Sequence, residues 1–314
     1  MIFREGAVTA RVICVGHAAL DRTFFVDAWP ASGESAKIAA RGFRESGGGM
    51  AANAAVAVAR LGGVAAFWGP AGADREGAII RDELVRYGVD VGGLALFPGR
   101  RSSVSAILVD PTGERLIIGF RSDTLTEEPA WLPLASVCEA GAVLADVRWP
   151  KGAKAVLECA RSLGVPAILD ADVAPPDTFA SLAECADHVL FSAAGLTAFA
   201  PGASVADALG AALRLGARIA GVTRGSEGFY WLAAGGDGIR HVPSPSVRTI
   251  DTTGAGDAFH GAYALAIAEG ASTSDAASFA CAAAALKCTR PGSRDAMPTR
   301  PDVEALLDGV GARS

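Results

Sequence analysis

The stretch DTTGAGDAFHGA, residues 251–262, places an aspartate directly after a Gly-Ala-Gly run, just where an apolar helical pattern begins. Glycine lets the backbone approach a ligand closely, and the first amides of a helix have no partners within that helix. Those amides and the helix dipole attract an anion such as a phosphate. Gly254, Ala255 and Gly256 are therefore candidates for an anion hole.

Asp257 fits such an anion hole only if its carboxylate faces a different group. A carboxylate at this position caps a helix well, but it would repel a phosphate held by the same amides. The conflict disappears if Asp257 takes the proton of an alcohol while the amides stabilise the phosphoryl group that the alcohol receives. The stretch therefore suggests phosphoryl transfer to a hydroxyl group, with an ordinary helix cap as the alternative.

Other chemistries have less support in the sequence. A Walker A loop is absent, and Phe259 stands where a dinucleotide fingerprint needs its third glycine. The six cysteines form no CxxC pair and do not stand beside the four histidines at zinc-ligand spacing. The sequence therefore predicts no zinc site, and we expect the cysteines to be free thiols.

Composition excludes several partners. The 314 residues are 51% hydrophobic and carry a formal net charge of −6, without a Lys/Arg run that could neutralise a nucleic-acid backbone. No apolar run reaches the about 18 residues that span a bilayer, and the N-terminal pattern is not typical of a signal peptide. We expect a cytoplasmic protein that binds neither nucleic acid nor a membrane.

Strand and helix patterns alternate along most of the chain, which predicts an α/β fold with a doubly wound, mostly parallel sheet. Residues 22–46 and 102–121 break this alternation, and the second segment contains a hairpin turn at DPTGER. The prediction is a single domain over residues 1–314, with a small β lid formed by about 22–46 and 102–121.

A second glycine-rich stretch, GGGMAANAAVAVARLGG at residues 47–63, lies well before the first. Together, in this order and separation, the two stretches resemble the two signatures of the ribokinase-like carbohydrate kinases. The likeness runs from about residue 11 to residue 300. It implies transfer of the γ-phosphate of ATP, bound with Mg²⁺, to a sugar hydroxyl, with Asp257 as the base and residues 254–256 as the anion hole.

The resemblance also implies residues for each substrate. It assigns sugar binding to Asp21, Gly48, Gly49 and Asn53, and nucleotide binding to a loop that contains Thr223, Gly225 and Gly228. Asp251 matches a position that supports a monovalent cation, K⁺, in some members, with a structural cap as the alternative. One departure is the stretch FSAAG at residues 191–195, where the family usually carries Asn-x-x-Glu.

Several stretches resemble one subgroup of this family more closely, among them LADVRWPKGAK at residues 144–154 and ALKCTRPGSR at residues 285–294. They are similar to those of bacterial sulfofructose kinases, which phosphorylate 6-deoxy-6-sulfofructose at its 1-hydroxyl. Lys37 and Arg148 match a lysine and an arginine that hold the sulfonate there. The matching asparagine is replaced by Gly119, although Arg121 lies close enough in sequence to substitute for it.

The roles of Lys37 and Arg148, the substrate and the oligomeric state each have an alternative. Lys37 could be a solvated lid charge, and Arg148 could form a structural ion pair with Asp146 or Asp170. The substrate could be a neutral sugar such as fructose or ribose, or a nucleoside, and a non-catalytic sugar sensor on the same fold is the rival class. The edges of the predicted lid could also join two copies in a homodimer.

Overall fold

The structure is a computed structural model that describes residues 10–29, 37–112, 114–122 and 128–311. Residues 30–36 and Gly113, which belong to the predicted lid segments, lie outside the described residues. In the described part, strands form two separate sheets, one of nine strands and one of four.

The large sheet is mostly parallel, as the alternating pattern predicted. Its strand order is β13-β12-β11-β10-β9-β8-β1-β4-β5, and only the pairs β11–β12 and β12–β13 are antiparallel. The strands are β1 (Arg11–Val15), β4 (Val64–Gly72), β5 (Asp90–Phe97), β8 (Ala142–Asp146), β9 (Ala167–Ala171), β10 (His188–Ser192), β11 (Ile219–Thr223), β12 (Phe229–Ala233) and β13 (Arg240–Val242). The sequence patterns did not single out β5 and β13.

Helices cover both faces of this sheet. They are α1 (Met50–Arg60), α2 (Arg75–Arg86), α3 (Pro150–Ser162), α4 (Pro176–Ala183), α5 (Ala193–Phe199), α6 (Val205–Arg214), α7 (Ala255–Ala268), α8 (Thr273–Lys287) and α9 (Arg300–Gly311). Alternate residues of β1 enter different cores. Val12 packs with α1, α7 and α8, whereas Ile13 packs with α3, α4 and α6. A central strand that is buried on both faces is typical of this layered architecture.

Alanine and glycine allow α1 and α7 to pack closely together. A side chain added at Gly261 of α7 would lie 2.5 Å from the carbonyl oxygen of Ala54 on α1. Small residues at a helix crossing let the two backbones approach each other. This crossing brings the first turn of α1, which carries Asn53, next to the first turn of α7, which carries Asp257.

The second sheet is the predicted lid. It contains β2 (Ala19–Phe25), β3 (Gly42–Gly48), β6 (Ser103–Val109) and β7 (Arg115–Phe120), in the order β3-β2-β6-β7. Strands β6 and β7 form the hairpin that DPTGER predicted, and the Asp110 carboxylate accepts bonds from the amides of Thr112 and Glu114 in its turn. The lid leaves β3 and β7 as its two edges.

Candidate active site

The Gly-Ala-Gly run forms the turn that starts α7. Gly254 has φ 76°, and a side chain there would lie 2.6 Å from Ser293 Oγ, so this position needs glycine. The amide of Ala255 bonds to Thr252 O at 3.2 Å, whereas among the described residues the amides of Gly254, Gly256 and Asp257 have no acceptor. Gly256 faces open space. The structure thus leaves three amides available for an anion, a set shifted from the predicted Gly254, Ala255 and Gly256.

Asp257 is held by one strong hydrogen bond. Its Oδ2 accepts a bond of 2.7 Å from Nδ2 of Asn53. Burial, helped by the neighbouring charge of Asp170, raises the pKa of Asp257 to about 7, while the bond from Asn53 opposes this shift. A carboxylate that titrates near neutral pH suits a general base, because it combines basicity with a usable deprotonated fraction.

Asp21 lies against the glycine pair of the first signature. A side chain on Gly48 would collide with the Asp21 carboxylate, and a side chain on Gly49, which has φ 94°, would collide with the carbonyl oxygen of His17. Burial raises the pKa of Asp21, and its bond with Ser105 on β6 lowers it. Gly48 is therefore needed for Asp21 to lie beside the backbone, and Gly49 for the close approach of the His17–Ala18 backbone.

The residues of the predicted nucleotide loop lie together at the carboxyl end of β11. Thr223 ends that strand and donates to Phe191 O at 3.3 Å, and a turn follows over Gly225–Glu227. Gly225 has φ 54° and Gly228 has φ 98°, which are backbone conformations that favour glycine. Ligands of parallel α/β sheets bind at this edge of the sheet.

Asp251 anchors the loop in front of α7. Its Oδ1 accepts from the amide of Thr253 at 2.8 Å, and its Oδ2 accepts from the amide of Gly292 at 2.9 Å. The Nζ atom of Lys287, a fully buried residue, donates to the Asp251 carbonyl at 2.8 Å and lies 3.9 Å from Oδ1. Arg115 of the lid lies 3.4 Å from Oδ1. Two cationic side chains and two amides surround this carboxylate, which fits the structural alternative better than a K⁺ ligand.

Ser192 stands at the start of the stretch that lacks Asn-x-x-Glu. Its Oγ accepts from the amide of Gly195 at 2.9 Å, which caps α5, and donates to Asp172 at 2.8 Å. Among the described residues, no group of three or more His, Cys, Asp or Glu side chains is placed to hold a metal ion.

A pocket with two arginines opens beside the lid. Its lining consists of Gly16, His17, Pro70, Ser103, Arg121, Ser122, Arg148 and Trp149. The carboxylate of Asp146, at the end of β8, connects two parts of the pocket lining. It accepts hydrogen bonds from the amides of His17 and Arg148, each at 2.8 Å. Asp146 also accepts from Ala51 on α1 at 3.1 Å, so the pocket and the Asn53–Asp257 pair share a support.

The two arginines have different partners. Arg148 donates to Asp172 at 2.5 Å and to Val173 O at 3.0 Å, so its ion-pair partner is Asp172 and not the Asp146 or Asp170 that the sequence suggested. Asp172 lies beyond the end of β9 and therefore reaches across to the arginine that follows β8. Within the described residues, Arg121 forms no salt bridge or hydrogen bond, and the acidic residue that interacts with its charge is the buried Asp146. Burial and the charge of Arg148 lower the pKa of Arg121.

The other two positions considered for anion binding, Lys37 and Gly119, are not part of the pocket lining. Lys37 is exposed in the coil before β3 and is not part of the lining. Gly119 is exposed on β7, where it pairs with Ser105. Of the cationic residues predicted for an anionic sugar, the structure brings together Arg121 and Arg148.

Sequence reasoning missed several residues of the site. His17 lines the pocket, with a buried Nε2 atom that has no hydrogen-bond partner among the described residues. Arg294 is buried against Asn53 and Gly48. The only sequence signal for Arg294 was its place in ALKCTRPGSR, and the only signal for His17 was its position directly after the glycine that ends β1.

The family described as pfkB family carbohydrate kinase matches residues 9–300 of the chain. The chain belongs to this family. It is 31% identical to a ribokinase of Bacillus subtilis over 303 residues, which are 95% of this chain and 99% of the relative. It is 29% identical to a fructokinase of Solanum tuberosum, over 86% of this chain and 89% of that one.

Solved structures agree with the family assignment. A protein of Agrobacterium tumefaciens, provisionally named a ribokinase, is 39% identical with a TM-score of 0.91, covering 97% of this chain and 99% of that one. Ribokinase of Arabidopsis thaliana, solved with ribose and ATP, is 26% identical with a TM-score of 0.81, covering 96% and 99%. This pfkB family protein is an ATP-dependent carbohydrate kinase, which sets aside the non-catalytic sensor. No helix among its described residues is long and apolar enough to cross a membrane.

Proposed function

We propose that this pfkB family kinase phosphorylates a primary hydroxyl of a ketose-type sugar that carries an anionic group at its other end. The leading candidate is 6-deoxy-6-sulfofructose, which would become its 1-phosphate. The observation that carries the proposal is the pair Arg121 and Arg148 in one pocket, with no salt bridge to Arg121 among the described residues. Neutral fructose or ribose, or a nucleoside, is the alternative.

The chemistry uses the Asp257 carboxylate and the amides at the start of α7. Asp257 takes the proton of the sugar hydroxyl, whose oxygen forms a bond to the γ-phosphorus of ATP. The bond between that phosphorus and the bridging oxygen breaks, and ADP leaves. The free amides of Gly254 and Gly256 would stabilise the transferring group, and the Mg²⁺ bound to ATP offsets its charge. The lid would exclude water that could otherwise hydrolyse ATP.

Charge balance favours an anionic substrate. The two guanidinium groups repel each other, and among the described residues Arg148 forms a salt bridge with Asp172, whereas Arg121 forms none and interacts with Asp146 only over a longer distance. A sulfonate or a similar anion would relieve this repulsion and accept several N–H donors at once. His17 and Ser103 offer further polar contacts on the same wall.

A coupled ADP-release assay tests the substrate class. The panel is sulfofructose, fructose, fructose 6-phosphate, ribose and adenosine at equal concentrations. We expect kcat/KM to be largest for sulfofructose. A preference for fructose or ribose over both anionic ketoses would contradict the anion proposal, and a preference for adenosine would favour the nucleoside alternative.

A double substitution tests the pocket directly. Because a hydrogen bond to a charged group contributes about 1.5–3 kcal/mol, Arg121→Gln/Arg148→Gln should raise KM for the anionic sugar by about 100-fold or more. The KM for fructose should change little. Arg86→Gln, on an exposed part of α2, is the matched control. An equal loss for charged and neutral sugars would count against recognition of a charge.

We also propose that the enzyme needs no K⁺, since the Lys287 ammonium group already lies beside Asp251.

Finally, we propose a homodimer in which lid strand β7 meets a second copy. Its residues are exposed along almost the whole strand, and four of them are large and apolar: Leu116, Ile117, Ile118 and Phe120. Exposed apolar edge strands are typical places for another chain to pair.

A further inference from the structure

We infer that Arg294 is a positioning residue for the catalytic base, and that it acts through the side-chain amide of Asn53. The inference rests on the proposed role of Asp257. Arg294 lies in a short turn over Arg294–Ala296, between α8 and α9, and is 1% exposed. Neither signature stretch contains it, and it does not line the pocket beside the lid.

The guanidinium group holds the amide in one orientation. Arg294 Nε donates to Asn53 Oδ1 at 2.9 Å, and Asn53 Nδ2 donates to Asp257 Oδ2 at 2.7 Å. An Asn side chain has one oxygen that accepts and one nitrogen that donates. Because Arg294 can only donate, it requires the oxygen of Asn53 to face it. The nitrogen must then face Asp257.

The surroundings keep Arg294 in place. Its NH2 group donates to Gly48 O at 3.0 Å, and its NH1 lies 3.6 Å from Oε2 of Glu83. Glu83 itself accepts from the amide of Gly47 at 2.5 Å. A side chain on Gly47 would collide with the guanidinium group. The first glycine of the GGG run, which sugar binding does not explain, thus provides the space for Arg294.

The groups around Asp257 act in opposite directions on its carboxylate. Asp170 on β9 and Asp146 on β8 disfavour the charged form, whereas the Asn53 bond and His260 on α7 favour it. Arg294 adds a buried positive charge that interacts first with Glu83, then with Asp21 and Tyr87, and also with Asp257. Loss of Arg294 would remove that charge and free the Asn53 amide to turn its oxygen towards the carboxylate. Both effects make the base harder to deprotonate.

The test is the pH dependence of kcat/KM for Arg294→Met and Arg294→Lys, from about pH 6 to about pH 9. We expect the midpoint to rise by about one unit in Arg294→Met, which is a loss of about tenfold on the acid side that recovers at high pH. Arg294→Lys keeps the charge and should shift less. Arg290→Met, an exposed arginine paired with Asp302, is the control and should not shift.

A midpoint equal to that of the wild type, with activity lower at every pH, would overturn the inference, since a purely structural role would give that result. Arg294→Met leaves Glu83 without its cation, so Glu83→Gln/Arg294→Met provides a variant that removes both buried charges together. Asp257→Asn separates the two proposals. If it keeps turnover, the proposed function fails; if it loses turnover while Arg294→Met shows no shift, only this inference fails.

Discussion

At the scale of single residues, the site depends on the Asp257 carboxylate, and its neighbours Asp170 and Asn53 have opposite effects on its pKa. Asp170 and burial raise the pKa of Asp257, and the Asn53 amide limits that rise. The hydrogen bond of 2.7 Å from Asn53 also fixes the direction in which the carboxylate faces. A base with these properties should show its role both in a substitution and in a pH profile.

Replacing Asp257 with Asn should lower kcat by about 10²–10⁴-fold, the usual contribution of a general base, because Asn cannot accept the hydroxyl proton. Sugar binding, measured by calorimetry, should remain. Asp308→Asn, on an exposed part of α9, is the matched control. Turnover close to that of the wild type in Asp257→Asn would remove Asp257 from the mechanism.

The pH dependence follows from the pKa of Asp257. Its carboxylate must be deprotonated to accept a proton, and its pKa is raised to about 7 from an ordinary value of 3.8. We therefore expect kcat/KM to increase with pH, with a midpoint near pH 7, where an ordinary aspartate would already be fully ionised. A profile that is flat through neutral pH would mean that another group controls the reaction.

At the scale of elements, the loop before α7 is fastened from three sides. Lys287 at the end of α8 holds the Asp251 backbone, the amide of Gly292 holds its carboxylate, and Arg115 reaches it from lid strand β7. Arg115 also donates to Thr252 Oγ1 at 2.6 Å. The anion loop is thus positioned by the core and the lid together.

Lys287→Ala should lower the free energy of unfolding by about 2–3 kcal/mol, because the partly buried Asp251 carbonyl loses its donor and the Asp251 carboxylate loses a nearby cation. Urea denaturation measures this change. Lys154→Ala, on an exposed part of α3, should have a much smaller effect. An equal change in the two variants would show that Lys287 does not support the loop.

The same contact predicts the response to monovalent cations. Wild-type kcat/KM should be the same in K⁺ and in tetramethylammonium at equal ionic strength, because the ammonium group of Lys287 lies beside Asp251 without any added ion. Activation by K⁺ would show instead that Asp251 takes part in a cation site despite its amide and side-chain partners.

At the scale of the whole molecule, the lid has two tasks. Its β2 and β3 strands carry Asp21 and Gly48, which we predict to bind the sugar, while β7 presents apolar side chains outwards. Ile117 is 59% exposed and Ile118 is 60% exposed, on an edge strand. The lid can therefore serve the substrate on one side and a second copy at its edge.

Ile117→Lys/Ile118→Lys should convert the expected dimer to a monomer in sedimentation experiments, since charges on an edge strand oppose pairing. Val85→Lys, at a 54% exposed position on α2, is the control and should remain a dimer. A wild-type protein that sediments as a monomer over the working concentration range would contradict the proposed dimer.

Much of the fold was predictable because it depends on local patterns. Apolar runs followed by helical periodicity indicated β1, β4 and α1, and DPTGER indicated the β6–β7 turn. Strand β13 is only three residues long, and β5, DVGGLALF, contains two adjacent glycines, which are unfavourable in strands, so neither gave a local pattern. The pairing of β2 with β6 joins distant segments and has no signature in either one.

By itself, the sequence determined the α/β class and the glycine turn that starts α7 with Asp257 beside it, because glycine placement and helix starts are local properties. Only the tertiary structure decided which charges meet. It paired Arg148 with Asp172, left Lys37 outside the pocket, surrounded Asp251 with Lys287 and Arg115, and placed Arg294 behind Asn53. Charge pairing depends on distances between segments that lie far apart in the chain, and these distances are set when the core packs.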